Sequence, residues 1–268
     1  MRGYIDAHLH LDQYPPAQLA ALVDQWQHAG IAGVMAVSSD LASAYRTLEL
    51  REKYPTFVFI ALGIHPEQPL PCERDQQELF SLLRGERNVI SAIGEVGLPH
   101  YIYQEQTMSA PPAFADALKL LEQFCLLSNE LDLPMLLHAV HERAQVAFDL
   151  LQKYNIARAH FHWLKAPAAT VDQLLRAGYF ISVTPEVCYR ERDQQLLARV
   201  PLNQLLIETD GPWPFQGPFE GQSTTPLFLK EVANHVAHQK GIPLETVINT
   251  TAQNVLNLIG PCRVGGIG

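Results

Sequence analysis

Apolar positions along the chain follow two alternating patterns. Short continuous apolar runs are separated by longer segments in which apolar residues recur every three or four positions. The runs read as buried strands, and the longer segments as helices with one face on a core. Strands are expected at Tyr4–His8, Ile31–Val37, Phe57–Leu62, Val89–Gly94, Pro134–His138, Ala157–His162, Tyr179–Val183 and Gln204–Glu208. Helices are expected at Pro16–His28, Leu41–Lys53, Glu73–Arg84, Phe114–Leu131, Glu142–Lys153, Ala168–Arg176 and Glu191–Val200. Thr225–Gln239 and Leu244–Ile259 read as closing helices. Leu98–Pro112 and Gly211–Ser223 read as long loops, and Pro261–Gly268 as a frayed tail.

Eight strand–helix units with continuously apolar strands predict a parallel sheet covered by helices. A closed (β/α)8 TIM barrel fits both that count and the 268 residues. An open doubly wound sheet would carry a glycine-rich phosphate loop after the first strand, and none is present. No repeat or linker interrupts the chain, so one domain over residues 1–268 is expected.

Composition narrows the function. The chain is 47% hydrophobic and 18% charged, a globular balance rather than a disordered one. Lys plus Arg is 19 and Asp plus Glu is 28, a formal net charge of -9. That argues against a broad basic surface coating a duplex or a membrane, and leaves room for a local basic cleft. The first residues lack the basic-then-apolar pattern of a signal peptide. No run approaches the roughly 18 apolar residues of a membrane span. Cys72, Cys125, Cys188 and Cys262 form no CxxC pair. A cytoplasmic protein with reduced thiols is the expectation.

The informative polar residues fall at strand ends. His8 and His10 follow the first strand, His65 the third, Glu95 the fourth and His138 the fifth. His160 and His162 close the sixth, and Asp210 follows the eighth. In a barrel these ends share one rim, where active sites sit. His8 and His10 are spaced i, i+2, which puts both rings on one side of an extended strand, a metal-ligand arrangement. The competing reading, hydrogen-bonded core histidines, weakens because other His, Glu and Asp residues share the rim. Glu95 stands in the apolar run Ile90–Gly97, where a carboxylate is costly unless paired or metal-bound. A structural salt bridge is the alternative there, and a turn-capping role is the alternative for Asp210. His160 and His162 are also i, i+2, and spacing does not choose between them.

Four histidines, one glutamate and one aspartate suffice for two divalent ions. A carboxylate bridging ions about 3.5–4 Å apart is a known hydrolytic device. One ion lowers the pKa of a bound water, and the other holds a leaving group or phosphoryl oxygen. Asp210 is placed to orient that water and accept its proton. Mixed His and carboxylate ligands fit Zn²⁺ or Mn²⁺, while Mg²⁺ ordinarily takes more oxygen ligands.

The chain resembles the TatD family of metal-dependent hydrolases, within the amidohydrolase-like barrels. The resemblance rests on Ile5-Asp6-Ala7-His8-Leu9-His10-Leu11-Asp12, Leu62-Gly63-Ile64-His65-Pro66 and Gly94-Glu95-Val96-Gly97-Leu98. It continues through Leu133-Pro134-Met135-Leu136-Leu137-His138, Glu208-Thr209-Asp210-Gly211-Pro212 and Thr250-Thr251-Ala252-Gln253-Asn254. It implies that His8, His10, Glu95 and Asp210 surround a first metal. Glu95 would bridge to a second metal held by His138 and His162, with His65 near the substrate. It also implies a 3′–5′ exonuclease-like deoxyribonuclease activity, with Glu95 and Asp210 as catalytic residues. Three positions depart from the family pattern. Pro99 stands where the family often has Asp, and His141 lies where it usually has Arg. Trp163-Leu164-Lys165-Ala166 replaces its usual Cys-Phe-Ser/Thr-Gly after the strand-six His.

A DNA end needs few basic contacts in a narrow cleft. His65, His141, Arg143, Lys165 and Trp213 are expected to contact substrate, with Arg190 and Arg192 nearby. Trp163, Tyr189 and Phe215 are further candidates for base stacking. The alternative is a metal-dependent hydrolase of a small ester, lactone or amide, D-aminoacyl esters included. A non-catalytic binding barrel is disfavoured because every expected ligand is present. The expected partner is a DNA end or a small phosphoester or ester. No membrane partner is expected, and the chain is expected to be a monomer or a weak homo-oligomer.

Overall fold

The computed structural model describes residues 3–104 and 113–260. Eight strands form one sheet: β1 (Tyr4–Leu9), β2 (Ile31–Val37), β3 (Val58–Leu62) and β4 (Ala92–Gly97), then β5 (Met135–His138), β6 (Ala159–Phe161), β7 (Phe180–Val183) and β8 (Leu205–Ile207). They lie in sequence order and every paired neighbour is parallel. Helices alternate with them: α1 (Pro16–His28), α2 (Leu41–Lys53), α3 (Glu73–Gly85), α4 (Tyr101–Gln104), α5 (Phe114–Leu131) and α6 (Arg143–Lys153). α7 (Ala168–Arg176), α8 (Glu191–Arg199), α9 (Leu229–Lys240) and α10 (Leu244–Ile259) complete the ring. The architecture is the (β/α)8 barrel. Among the described residues, no helix is long and apolar enough to cross a membrane. The described cysteines Cys72, Cys125 and Cys188 are unpaired, and Cys262 lies outside the described residues.

Strand alternation divides the core in two. Val34, Ala36, Val58, Ile60, Leu62, Met135 and Leu137 join the buried faces of the surrounding helices. Met35, Val37, Phe59, Ala61, Leu136 and Leu206 form a second cluster within the barrel. His138 and Glu208 share a strand face with Leu136 and Leu206, two residues further on. The site therefore sits on top of an apolar plug.

Closure between β8 and β1 uses backbone bonds beyond the strand ends and one buried side chain. The Asp210 N–H donates to the His8 carbonyl at 3.0 Å, and the His10 N–H to the Gly211 carbonyl at 2.9 Å. Buried Asp6 accepts the Thr209 N–H at 3.0 Å, the Thr209 hydroxyl, and the His8 N–H at 3.3 Å. Burial pushes the Asp6 carboxyl up to about 8 despite these bonds.

Three expectations are corrected. β4 runs from Ala92 to Gly97 rather than from Val89 to Gly94, so Glu95 lies inside the strand. Val89 and Ile90 instead donate back to the Glu86 carbonyl in the turn after α3. The expected loop at Leu98–Pro112 contains α4, and its residues 105–112 lie outside those described, as does the tail at 261–268. The helix expected from Thr225 starts at Leu229, after a 3-10 turn at Pro226–Phe228 capped by the Thr225 hydroxyl.

The seam gives a stability prediction. Asp6→Ala strands the Thr209 and His8 donors and is expected to cost about 2–4 kcal/mol. Asp6→Asn keeps an acceptor and is expected to cost less. Urea unfolding checks both: the midpoint should fall, more for Ala, at unchanged slope.

Candidate metal centre

Residues far apart in sequence meet at the C-terminal rim. Glu95 lies at their centre, fully buried, and its two oxygens face different histidines. Oε2 lies 3.1 Å from His8 Nε2 and 3.3 Å from His10 Nε2. Asp210 Oδ1 lies 3.5 Å from each of those nitrogens. Oε1 of Glu95 lies 2.8 Å from His162 Nε2, 3.1 Å from His138 Nδ1 and 3.2 Å from His65 Nε2. The structure thus brings together His8, His10, His65, Glu95, His138, His162 and Asp210. His160, which spacing could not separate from His162, turns its Nε2 to Ser182 Oγ at 2.7 Å.

The donor set fits cations. Glu95 Oε1 and Asp210 Oδ1 are buried and accept no hydrogen bond, although ring nitrogens surround them. Their lone pairs and those nitrogens converge on shared space, an arrangement suited to ions rather than to hydrogen bonds. His8–His10–Glu95 and His65–Glu95–His138 each form a group with metal-holding geometry, as does His8–His162–Glu208.

Charges are strongly coupled here. Burial works to raise the Glu95 carboxyl, but His65, His162 and His8 outweigh it and hold the group well below the usual carboxylate range. Asp210 is likewise lowered, burial being overcome by His10, His8 and His162. Burial disfavours a charged His10, yet Asp210 and Glu95 lift it to about 10. His138 is raised against burial by Glu67 and Glu95, and His162 is raised well above its ordinary value by Glu95 and Glu208. Burial, with His8 and His162 beside it, keeps His160 well below its ordinary value and neutral.

Two carboxylates outside the expected set support the ring. Glu208 is fully buried and accepts the Trp163 N–H at 2.8 Å. Its Oε1 lies 3.5 Å from His162 Nδ1. Glu67 lies 3.3 Å from His138 Nε2 and accepts the backbone N–H groups of His100, Tyr101 and Ile102 at 2.7, 3.0 and 2.9 Å. Burial would raise the Glu67 carboxyl, but His138 and those N–H groups bring it to about 2. The signal for Glu208 was a carboxylate closing an apolar strand two residues before Asp210. Glu67 gave none, being one acid in a polar loop.

The rim residues differ in how free they are. Lys165 donates to the Tyr101 hydroxyl at 2.9 Å and lies 4.2 Å over the Trp163 ring. Burial lowers its pKa. The His141 N–H donates to the Lys165 carbonyl, and its ring lies 4.5 Å from that of His100. Arg143 donates to the Pro99 carbonyl at 3.1 Å and covers the Phe114 ring at 4.4 Å. Trp213 is 58% exposed, whereas Phe215 is buried with Phe219 and Phe228 and cannot stack on a base. Glu186 pairs with Arg190 at 2.8 Å and with Arg192 at 2.6 Å, and Asp193 holds Arg192 at 2.7 Å.

A sequence model of the family described as "TatD related DNase" matches residues 5–260. The chain is 40% identical over 242 residues to a Haemophilus influenzae protein named "Uncharacterized metal-dependent hydrolase", covering 90% of this chain and 93% of that one. It is 27% identical over 269 residues to the Homo sapiens protein named "Deoxyribonuclease TATDN3", covering 97% and 96%. The crystal structure of the Escherichia coli TatD homologue YjjV has the same fold, with a TM-score of 0.83 at 24% identity, covering 95% and 97%.

The raised histidines predict proton release. His10 and His162 hold protons at neutral pH without metal, and a cation must displace them. Uptake of Mn²⁺ or Zn²⁺ is therefore expected to release protons, and affinity to rise with pH up to about 10, where His10 loses its proton. Calorimetry in two buffers of different ionisation enthalpy checks this. A buffer-independent heat and a flat affinity would contradict it.

Proposed function

Because the chain belongs to the TatD-related DNase family of metal-dependent hydrolases, we propose that its rim centre hydrolyses phosphodiester bonds at a DNA end, in the manner of a 3′–5′ exonuclease. The observation that carries this reading is the division of the Glu95 oxygens between two sets of ring nitrogens. His8, His10, Asp210 and Glu95 Oε2 would hold one divalent ion. His138, His162 and Glu95 Oε1 would hold the other. When bound, such a pair of Zn²⁺, Mn²⁺ or Mg²⁺ ions supplies an acidified water and neutralises charge developing on a phosphoryl oxygen.

The chain's own residues do the rest. Asp210, ionised at neutral pH, accepts the water's proton. His65 accepts the Glu67 N–H at its Nδ1, at 3.1 Å, so the single proton of its neutral ring sits on Nε2. Burial, the largest influence, lowers its pKa and favours that neutral form. His65 is therefore a hydrogen-bond donor to a phosphoryl oxygen rather than a ligand. Lys165 and His141 face the substrate, Trp213 offers an exposed ring for a base, and Arg143 steadies the Pro99 loop.

One observation favours a second reading. Arg190 and Arg192 are neutralised by Glu186 and Asp193, which reduces the positive charge offered to a polynucleotide. A small ester, lactone or amide, including a D-aminoacyl ester, needs less.

The test is nucleotide release from single-stranded DNA with Mn²⁺, Zn²⁺ or Mg²⁺, run beside ester and lactone substrates. Nucleotide release is expected, and Asp210→Asn should lower kcat by about 10²–10⁴-fold. Ester hydrolysis without nucleotide release would transfer the assignment to the second reading. Undiminished turnover in Asp210→Asn would remove Asp210 as the base.

A further inference from the structure

We infer that Glu67 is the positioning residue for the second half of the centre: its carboxylate leaves His138 Nδ1 free for a cation, and its backbone makes His65 an N–H donor. This rests on the two-ion reading above.

Glu67 follows His65 by two residues in the loop after β3, and it reaches both rings. Its N–H donates to His65 Nδ1 at 3.1 Å, and its Oε1 lies 3.3 Å from His138 Nε2. A neutral imidazole carries one proton. On His65 that proton sits on Nε2, facing Glu95 at 3.2 Å. On His138 the far nitrogen faces an acceptor-only carboxylate, so Nε2 carries the proton there too. His138 Nδ1 then presents a lone pair to the space it shares with Glu95 Oε1, at 3.1 Å, and His162 Nε2, at 3.2 Å. Two neighbouring rings, with centroids 4.8 Å apart, thus have the same tautomer but turn opposite chemistry toward Glu95.

The carboxylate is itself fixed. Three consecutive backbone N–H groups, from His100 to Ile102, bind it, and Tyr101 in that segment accepts the Lys165 ammonium. Glu67 therefore joins a ligand of the second ion to the wall that carries Lys165. The two ions are unequally supported. His162 has Glu208 behind its Nδ1 at 3.5 Å, as His138 has Glu67. Behind His10, by contrast, Nδ1 faces the neutral Ser39 hydroxyl at 3.4 Å. Carboxylates behind ligating histidines fix ring orientation and raise basicity, and their loss typically costs 10–100-fold in metal affinity.

The test uses the full chain, stripped of metal and titrated with Mn²⁺ in a calorimeter, as wild type and as Glu67→Gln. The wild type should take up two equivalents. Glu67→Gln should weaken the second by about 10–100-fold and leave the first unchanged. Equal affinities in both proteins, or equal weakening of both equivalents, would overturn the inference. A wild type that takes up one equivalent would overturn the two-ion reading itself, and this inference with it. Nitrogen-15 spectra of histidine-labelled, Zn²⁺-loaded protein give a second readout. His138 should be protonated at Nε2 and metallated at Nδ1. Glu67→Gln should shift the His138 signals and spare those of His65, whose partner is a backbone N–H. Should Glu67→Gln fail to fold, the wild-type spectrum still decides, because the reversed His138 assignment would overturn the inference.

Discussion

An ionised carboxylate shut away from water is costly unless opposite charge surrounds it, by several kcal/mol even after relaxation. Glu95 is such a group, and much of the rim is organised around it. The strands deliver ring nitrogens to both of its oxygens, and Asp210 adds a second negative charge beside the first set. Without metal, protonated histidines balance the two acids. On the proposed reading, bound cations would take the place of those protons. One arrangement of side chains thus serves two charge states. The net charge of -9 reads differently in this light, because part of it points inward.

Close backbone approach makes this density possible. A Cβ on Gly97 would overlap the His138 carbonyl, and one on Gly63 would crowd the Glu95 carbonyl. Either side chain would push apart strands that present the candidate ligands. Below the polar layer, Met35, Phe59, Leu136 and Leu206 form a buried apolar cluster. Polar rim and apolar plug are successive layers of the same alternating strand faces.

Much of this was legible in the sequence, for identifiable reasons. Buried strands read as continuous apolar runs, and polar residues interrupt them only where the barrel ends. That is why His8, His10, His138 and Asp210 stood out. Glu95 was recognised but placed one element too late, because the apolar residues Val89 and Ile90 belong to a turn. His160 lies in β6 and His162 just beyond it, and their roles depend on Ser182 and Glu95, partners that spacing does not reveal. Glu67 lay in a polar loop where acids are ordinary, and its role depends on three N–H groups more than thirty residues away. The aromatic residues of the loop after β8 looked alike in sequence. Phe215 went into a small apolar cluster and Trp213 stayed outside.

The seam between β8 and β1 bears on how the molecule comes into being. Asp6 and Thr209, which close it, stand 203 residues apart, and the same junction places His8 and His10 beside Asp210. Glu95, His138 and His162 all belong to the middle of the chain. During ribosomal synthesis that middle group emerges whole while the other side still lacks its aspartate. The cluster of His8, His10 and Asp210 is assembled only by a chain made through β8, so half of the centre waits for the last strand of the barrel.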